Sequence, residues 1–285
     1  MGGDPVGQGI INMHNTPAIA DSILEVDSLS FGYRDRMVLK GISFSVKRGE
    51  ICGLLGPNGC GKTTLLKCIN RILHARSGAI RIHGRDVSEL SRNEIASLVA
   101  VVPQDLHVVF SFTVLEMVLM GGTARYGLSG IPRKKDFLRA HEILEELYIS
   151  GLADRRYNEL SGGEKQMVLI ARALFQGAEI MLLDEPTSHL DFKRQHITME
   201  MIKRISEEKG LTTLITLHDP NTAGRYCHRL VMLNRGCICH QGPRDSIFHA
   251  GSLESVYDMK IKVERTDTGA DYVVPHSKPV KNEKN

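Results

Sequence analysis

The sequence has no long apolar run. None approaches the roughly 18 residues that span a membrane as a helix, so fused transmembrane segments are not expected. Met1-Gly2 is not followed by a charged-then-apolar leader, and Val6 stands where a lipidation pattern needs serine or threonine. Neither export nor lipidation is therefore expected. Charge of one sign is not in excess: 36 basic against 33 acidic residues leave +3, which gives no argument for a nucleic-acid partner. No two of the six cysteines (Cys52, Cys60, Cys68, Cys227, Cys237 and Cys239) form a C-x-x-C pair. Most lie in apolar runs, where a reduced, buried thiol is expected. Cys237 and Cys239 are not expected to share a metal. These absences leave a soluble cytosolic protein as the simplest account. With 285 residues, 42% of them hydrophobic, the chain can bury a sizeable core in one large domain or two small ones.

The most informative stretch is Gly56-Pro57-Asn58-Gly59-Cys60-Gly61-Lys62-Thr63-Thr64. Gly56, Gly61, Lys62 and Thr63 match the phosphate-binding pattern G-x-x-x-x-G-K-[ST]. The apolar run 51–55 before it predicts a short buried strand, and 64–69 after it has helical spacing. Glycines let the backbone wrap closely around an anion, and the N–H groups and dipole of the helix start favour negative charge. Lys62 would reach the β- and γ-phosphates, and the Thr63 hydroxyl would hold magnesium.

Strands are expected over 23–33, 42–46 and 78–84, around the phosphate-loop helix. From about Ser91 the pattern turns helical, with short helices at 94–98 and from Thr113, where Glu116 completes a start signal and Gly121-Gly122 stop the run. A strand, 99–104, lies between them. The stretch 136–148 predicts an amphipathic helix with Phe137, Leu138, Ala140, Ile143, Leu144 and Leu147 on one face.

Ser161, Gly162 and Gly163 open another helix and make a second anion-binding end of the same physical kind. Ile180-Met181-Leu182-Leu183 reads as a strand buried on both faces, ending in Asp184-Glu185-Pro186. Ligand groups in such sheets gather at the carboxyl ends of strands. Asp184 is thus expected beside Thr63, holding magnesium, with Glu185 placed to polarise a water. Ser188-His189-Leu190-Asp191 begins a long helix. His218 follows the strand 211–217 and would lie on the same edge, within reach of a γ-phosphate. A hairpin is expected around Asn234-Arg235-Gly236, and a short helix from Pro243 to about Ala250. Residues 1–20 and 266–285 are expected to be loose.

The ordered set of residues 56–64, Gln104, 160–166, Asp184-Glu185, 188–191 and His218 resembles the ATP-binding-cassette ATPases, the nucleotide-binding subunits of membrane transporters. The resemblance covers about residues 22–250. It implies an α/β fold: a P-loop NTPase (RecA-like) core with an N-terminal antiparallel β subdomain and an inserted α-helical subdomain. The core would comprise 22–90 and 165–250, the helical subdomain about 91–164, with a flexible tail over 1–21 and a C-terminal extension over 251–285. ATP and Mg2+ are the implied cofactors. Gly56, Pro57, Asn58, Gly59, Cys60, Gly61, Lys62, Thr63 and Thr64 would hold the phosphates, Tyr33 would stack on adenine, and Asp191 would join the nucleotide site. Ser161, Gly162 and Gly163 would cover the nucleotide held by a second copy, giving a head-to-tail homodimer bridged by ATP. Glu185 would be the catalytic base, His218 the switch histidine, and Gln104 a sensor of magnesium and γ-phosphate. Gln104 would also couple to the permease.

A closer resemblance is to the importer branch serving iron–siderophore, haem and cobalamin permeases, with molybdate relatives. It is carried by Val102-Pro103-Gln104, Thr187-Ser188-His189-Leu190-Asp191 and the tail over 257–275. It implies transmembrane permease subunits, an external substrate-binding protein acting indirectly, and a place on the cytoplasmic face of the membrane. The alternative is a soluble cassette ATPase of the iron–sulfur assembly type. Cys60 and Met167 depart from the branch's usual serine or alanine and arginine. A thiol at Cys60 is expected to make the site sensitive to thiol reagents.

Overall fold

The computed structural model describes residues 22–106, 109–126, 130–267, 269 and 271–276. The tail expected over 1–21, and residues 277–285, lie outside them. The chain starts as an antiparallel hairpin, β1 (Ser22–Tyr33) and β2 (Arg36–Lys47), whose alternating apolar positions bury one face. It then enters the core as β3 (Ile51–Leu55), all five residues buried, and turns into α1 (Lys62–Ile69). β4 (Ser77–Ile82) and β5 (Arg85–Asp86) return to extend the hairpin into a sheet of order β2-β1-β4-β5.

The middle of the chain is mostly helical. α2 (Arg92–Leu98) and α3 (Val114–Leu119) begin at Ser91 and Thr113, each closed by a reciprocal capping box with Glu94 and Glu116. β6 (Val99–Val102) lies between them. α4 (Lys134–Glu146) and α5 (Gly162–Gln176) follow, and α5 runs across the subdomain boundary expected at 164 and 165. The remainder alternates strand and helix: β7 (Ile180–Asp184), α6 (Phe192–Lys209), β8 (Thr212–Leu217), α7 (Pro220–Tyr226). β9 (Arg229–Asn234) and β10 (Cys237–Pro243) form the expected hairpin. α8 (Arg244–Ile247), α9 (Ala250–Tyr257) and a small hairpin of β11 (Ile261–Arg265) and β12 (Asp271–Pro275) complete it.

The six-stranded sheet has the order β10-β9-β3-β8-β7-β6, parallel from β9 through β6. Its central strands β3, β8 and β7 are buried on both faces because both are covered. Cys52 and Leu54 of β3 face the antiparallel sheet and α1, whereas Ile51 and Leu55 face the helices. Two cores therefore share one sheet. Register aligns the strand ends: Leu55 pairs with Leu217, and Asp184 with Thr216. The segments that follow β3, β7 and β8 emerge side by side on one edge.

Three local expectations need correction. Gly121 and Gly122 do not end the helix outright, since the chain tightens into a 3₁₀ stretch, Met120–Arg125, that packs under α5. A side chain on Gly121 would strike the Arg172 carbonyl oxygen at 2.2 Å, so this close approach requires glycine. On α4 the buried face is Ala140, Ile143, Leu144 and Leu147, while Phe137 and Leu138 are exposed at 41% and 58%. Residues 271–275, expected to fray, are paired in β12. Cys237 and Cys239 are both exposed, unlike the other four cysteines.

Phe175 is fully buried at the junction of α5 with the helical region, with the guanidinium groups of Arg125 and Arg139 4.9 and 5.6 Å from its ring. Phe175→Ala should cost about 3–5 kcal/mol of stability, read as a lower urea midpoint at unchanged slope. A loss below about 1 kcal/mol would show that this junction is not part of the main core.

Candidate functional site

The phosphate loop is built as its sequence predicts. Gly61 has φ +114°, a left-handed conformation, immediately before α1, and a side chain there would meet Leu39 Cδ2 at 2.8 Å. At Gly56 an added Cβ would sit 2.2 Å from the Leu233 carbonyl oxygen. Both glycines are thus demanded by the packing of the loop against β2 and β9. Pro57, Asn58 and Gly59 form the outward rim, while Gly56, Cys60, Gly61 and Lys62 are buried. Thr63 and Thr64 are half-buried in the first turn of α1.

Lys62 is 4% exposed, and its Nζ donates to the Gly56 carbonyl at 2.8 Å and lies 3.5 Å from Glu185 Oε1. A buried amine without partners would be strongly disfavoured, and these two contacts satisfy it inside the loop. The Thr63 hydroxyl donates to Asp184 Oδ1 at 2.9 Å, and the Thr216 hydroxyl donates to the same oxygen at 2.9 Å. Neither bond uses Oδ2. The Glu185 N–H donates to Thr216 Oγ1 at 2.8 Å. Glu185 has φ +45°, a strained conformation costing about 1 kcal/mol or more for a residue with a side chain. Thr216 and Lys62 hold it there.

The Gln104 amide donates to Glu185 Oε2 at 3.4 Å and to Ser188 Oγ at 3.2 Å. Gln104 therefore stands against the candidate base. His218 is exposed just beyond β8, on the same edge. Tyr33 is 49% exposed at the tip of the β1–β2 hairpin, its ring edge-on to Phe31 with 4.9 Å between centroids.

Ser161 caps α5: its N–H and hydroxyl both donate to Glu164 Oε2, at 2.8 and 2.6 Å. These bonds hold the Glu164 carboxyl below its ordinary range. Gly162 is exposed and Gly163 buried, the latter against Arg194 of α6. Asp191 caps α6 by accepting from the Arg194 N–H at 2.9 Å. Residues 160–166 adjoin the 188–191 loop, an added Cβ at Gly162 lying 3.8 Å from the His189 carbonyl oxygen. No hydrogen bond links residues 161–163 to residues 56–64 among the described residues.

A cation such as magnesium fits the donors present. Thr63 and Asp184 offer a hydroxyl and a carboxylate, hard oxygens suited to it. Among the described residues no group of three or more His, Cys, Asp or Glu could hold a metal ion. Cys60 is buried, as expected for cysteines in apolar runs, and burial pushes its thiol up despite Lys62, which works against the expected sensitivity to thiol reagents.

One residue of the site, Thr216, escaped the sequence analysis, and it anchors both acidic residues. Ser188, named there only within the 187–191 motif, receives Gln104. Thr216 left a faint signal, as a hydroxyl residue near the end of an apolar strand. Only the register of β8 against β7 gives it meaning.

Comparison with known proteins agrees with this geometry. The family model described as ABC transporter matches residues 39–188. A hemin import ATP-binding protein of Streptomyces coelicolor is 38% identical over 245 residues, 86% of each chain. An iron(3+)-hydroxamate import ATP-binding protein of Bacillus subtilis is 34% identical over 240 residues, 84% of this chain and 89% of that one. A chain from an inward-facing transporter assigned to the metal-chelate type superposes with a TM-score of 0.80 at 28% identity, covering 90% of this chain and 98% of that one. The phosphate loop on a P-loop NTPase sheet, the antiparallel β subdomain and these relatives lead to one conclusion: the chain belongs to the ABC transporter family and is an ATP-binding, ATP-hydrolysing cassette.

Proposed function

We propose that this chain energises the uptake of an iron chelate, haem or a related metal chelate through a membrane permease. The observation that carries the ATPase chemistry is the shared edge where Thr216 joins the Thr63–Asp184 pair to the Lys62–Glu185–Gln104 group in one hydrogen-bonded and ion-paired network. The cargo class rests on the hemin and iron(3+)-hydroxamate relatives.

In this reading residues 56–64 wrap the β- and γ-phosphates, and Lys62 neutralises them. Tyr33 stacks on adenine. Magnesium, when bound, supplies charge that stabilises the phosphates, and Thr63, Asp184 and Gln104 would hold it. Glu185 takes the proton of the attacking water, its carboxylate aimed by the main-chain N–H bond to Thr216 and by Lys62. His218 contacts the γ-phosphate. Ser161, Gly162, Gly163 and Asp191 complete the site of a second copy, so two chains trap two ATP molecules head-to-tail. Loss of the γ-phosphate removes the shared contact and opens the pair.

The part of the helical subdomain around 104–126 docks the permease at the cytoplasmic face of the membrane, and an external binding protein delivers cargo to that permease. Among the described residues no helix is long and apolar enough to cross a membrane. Val109 and Phe110, 90% and 71% exposed beside Gln104's segment, supply apolar docking surface. Tyr126 does not: its hydroxyl donates to the Leu119 carbonyl at 2.7 Å and it packs inward.

Glu185→Gln should bind ATP as the parent does and hydrolyse it about 10²–10⁴-fold more slowly in a steady-state phosphate assay. Near-parental turnover would remove Glu185 from the base role. Phe110→Glu should abolish chelate uptake by the assembled transporter in vesicles while the chain's own hydrolysis persists. Full uptake by that variant would move the docking surface elsewhere.

A further inference from the structure

The C-terminal extension has no part in the chemistry described so far, yet it reaches the nucleotide edge. Tyr257, the last residue of α9, donates its hydroxyl to the main-chain carbonyl oxygen of His218 at 2.8 Å. β12 is fastened to the same region. Asn221 Nδ2 donates to the Val273 carbonyl at 3.2 Å, and the Val273 N–H donates to Asn221 Oδ1 at 2.7 Å. Arg244 holds the start of β12 through Asp271 at 2.9 Å.

His218 sits in the short link between β8 and α7. Upstream, the β8 ladder fixes the chain. Downstream, Asp219 caps α7, accepting from the N–H groups of Asn221 and Thr222 at 3.1 and 2.9 Å. The imidazole is exposed, and no described residue hydrogen-bonds it. Its direction is therefore set through the main chain. The bond from Tyr257 falls on the peptide that leaves His218. Burial, then the Asp219 carboxylate and the Cys60 thiol, push the Tyr257 phenol up, so it remains a protonated donor at neutral pH.

We infer that Tyr257 is a positioning residue for ATP hydrolysis: its hydroxyl fixes the His218 peptide, and so the aim of the imidazole at the γ-phosphate. The C-terminal extension is thereby a working part of the ATPase site. This inference rests on the role proposed above for His218. The physical basis is that an imidazole held only by its backbone loses aim when that backbone is released, and small misplacements of a contacting group slow the chemical step more than they weaken binding.

The test is steady-state ATP hydrolysis by the full-length chain in four forms: parent, Tyr257→Phe, His218→Ala and the double variant, with thermal midpoints confirming folding. Tyr257→Phe keeps the ring and removes the hydroxyl alone. It should lower kcat by about 3- to 10-fold, the worth of one hydrogen bond, with KM for ATP within about twofold. In the His218→Ala background the same change should leave kcat where it stands. Parental kcat in Tyr257→Phe overturns the inference, and so does an equal fold-loss in both backgrounds, which would mean that Tyr257 acts apart from His218. Parental kcat in His218→Ala alone would locate the failure in the role of His218 itself and take the inference with it.

Discussion

Asp184 Oδ1 is the joint of the molecule. It accepts the Thr63 hydroxyl from the start of α1 and the Thr216 hydroxyl from β8, while its own strand, β7, is buried on both faces. One carboxylate oxygen thus ties the phosphate loop, the strand leading to Glu185 and the strand leading to His218. Asp184 is only 9% exposed, so the bonds are made where losing a partner is costly. Each element's position depends on the other two.

That constraint explains the strained backbone at Glu185. A residue with a side chain at φ +45° persists only where its surroundings over-determine it. Here Thr216 accepts its N–H, and Lys62 and Gln104 engage its carboxylate. The result is a carboxylate held at the mouth of the loop rather than one free to turn to solvent. Preorganisation of this kind is where such a site gains rate, because nothing has to rearrange when charge develops.

Much of this arrangement was legible in the sequence. The phosphate loop needs glycine at 56 and 61, and the packing shows why: a β-carbon at either would strike β9 or β2. Four apolar residues before Asp184 placed it at a strand end. Local pattern could not supply relations between distant segments. Thr216 looks like one more residue of an apolar strand until β8 is aligned with β7. Tyr257 looked like a feature of a tail, yet it closes on His218 across 39 positions of sequence. Phe137 and Leu138 satisfied the helical period of α4 and still remain exposed, because burial depends on what the helix meets and not on its period alone.

The central claim is that this edge is half of a site completed by a second copy. The Ser161–Gly163 stretch lies beside its own 188–191 loop and makes no hydrogen bond to its own phosphate loop among the described residues. The most direct measurement is sedimentation velocity of the full-length Glu185→Gln chain with magnesium and saturating ATP, against the same sample with ADP. The account predicts a dimer with ATP and a monomer with ADP. A chain that stays monomeric with ATP, both alone and with its transmembrane partners present, would contradict it.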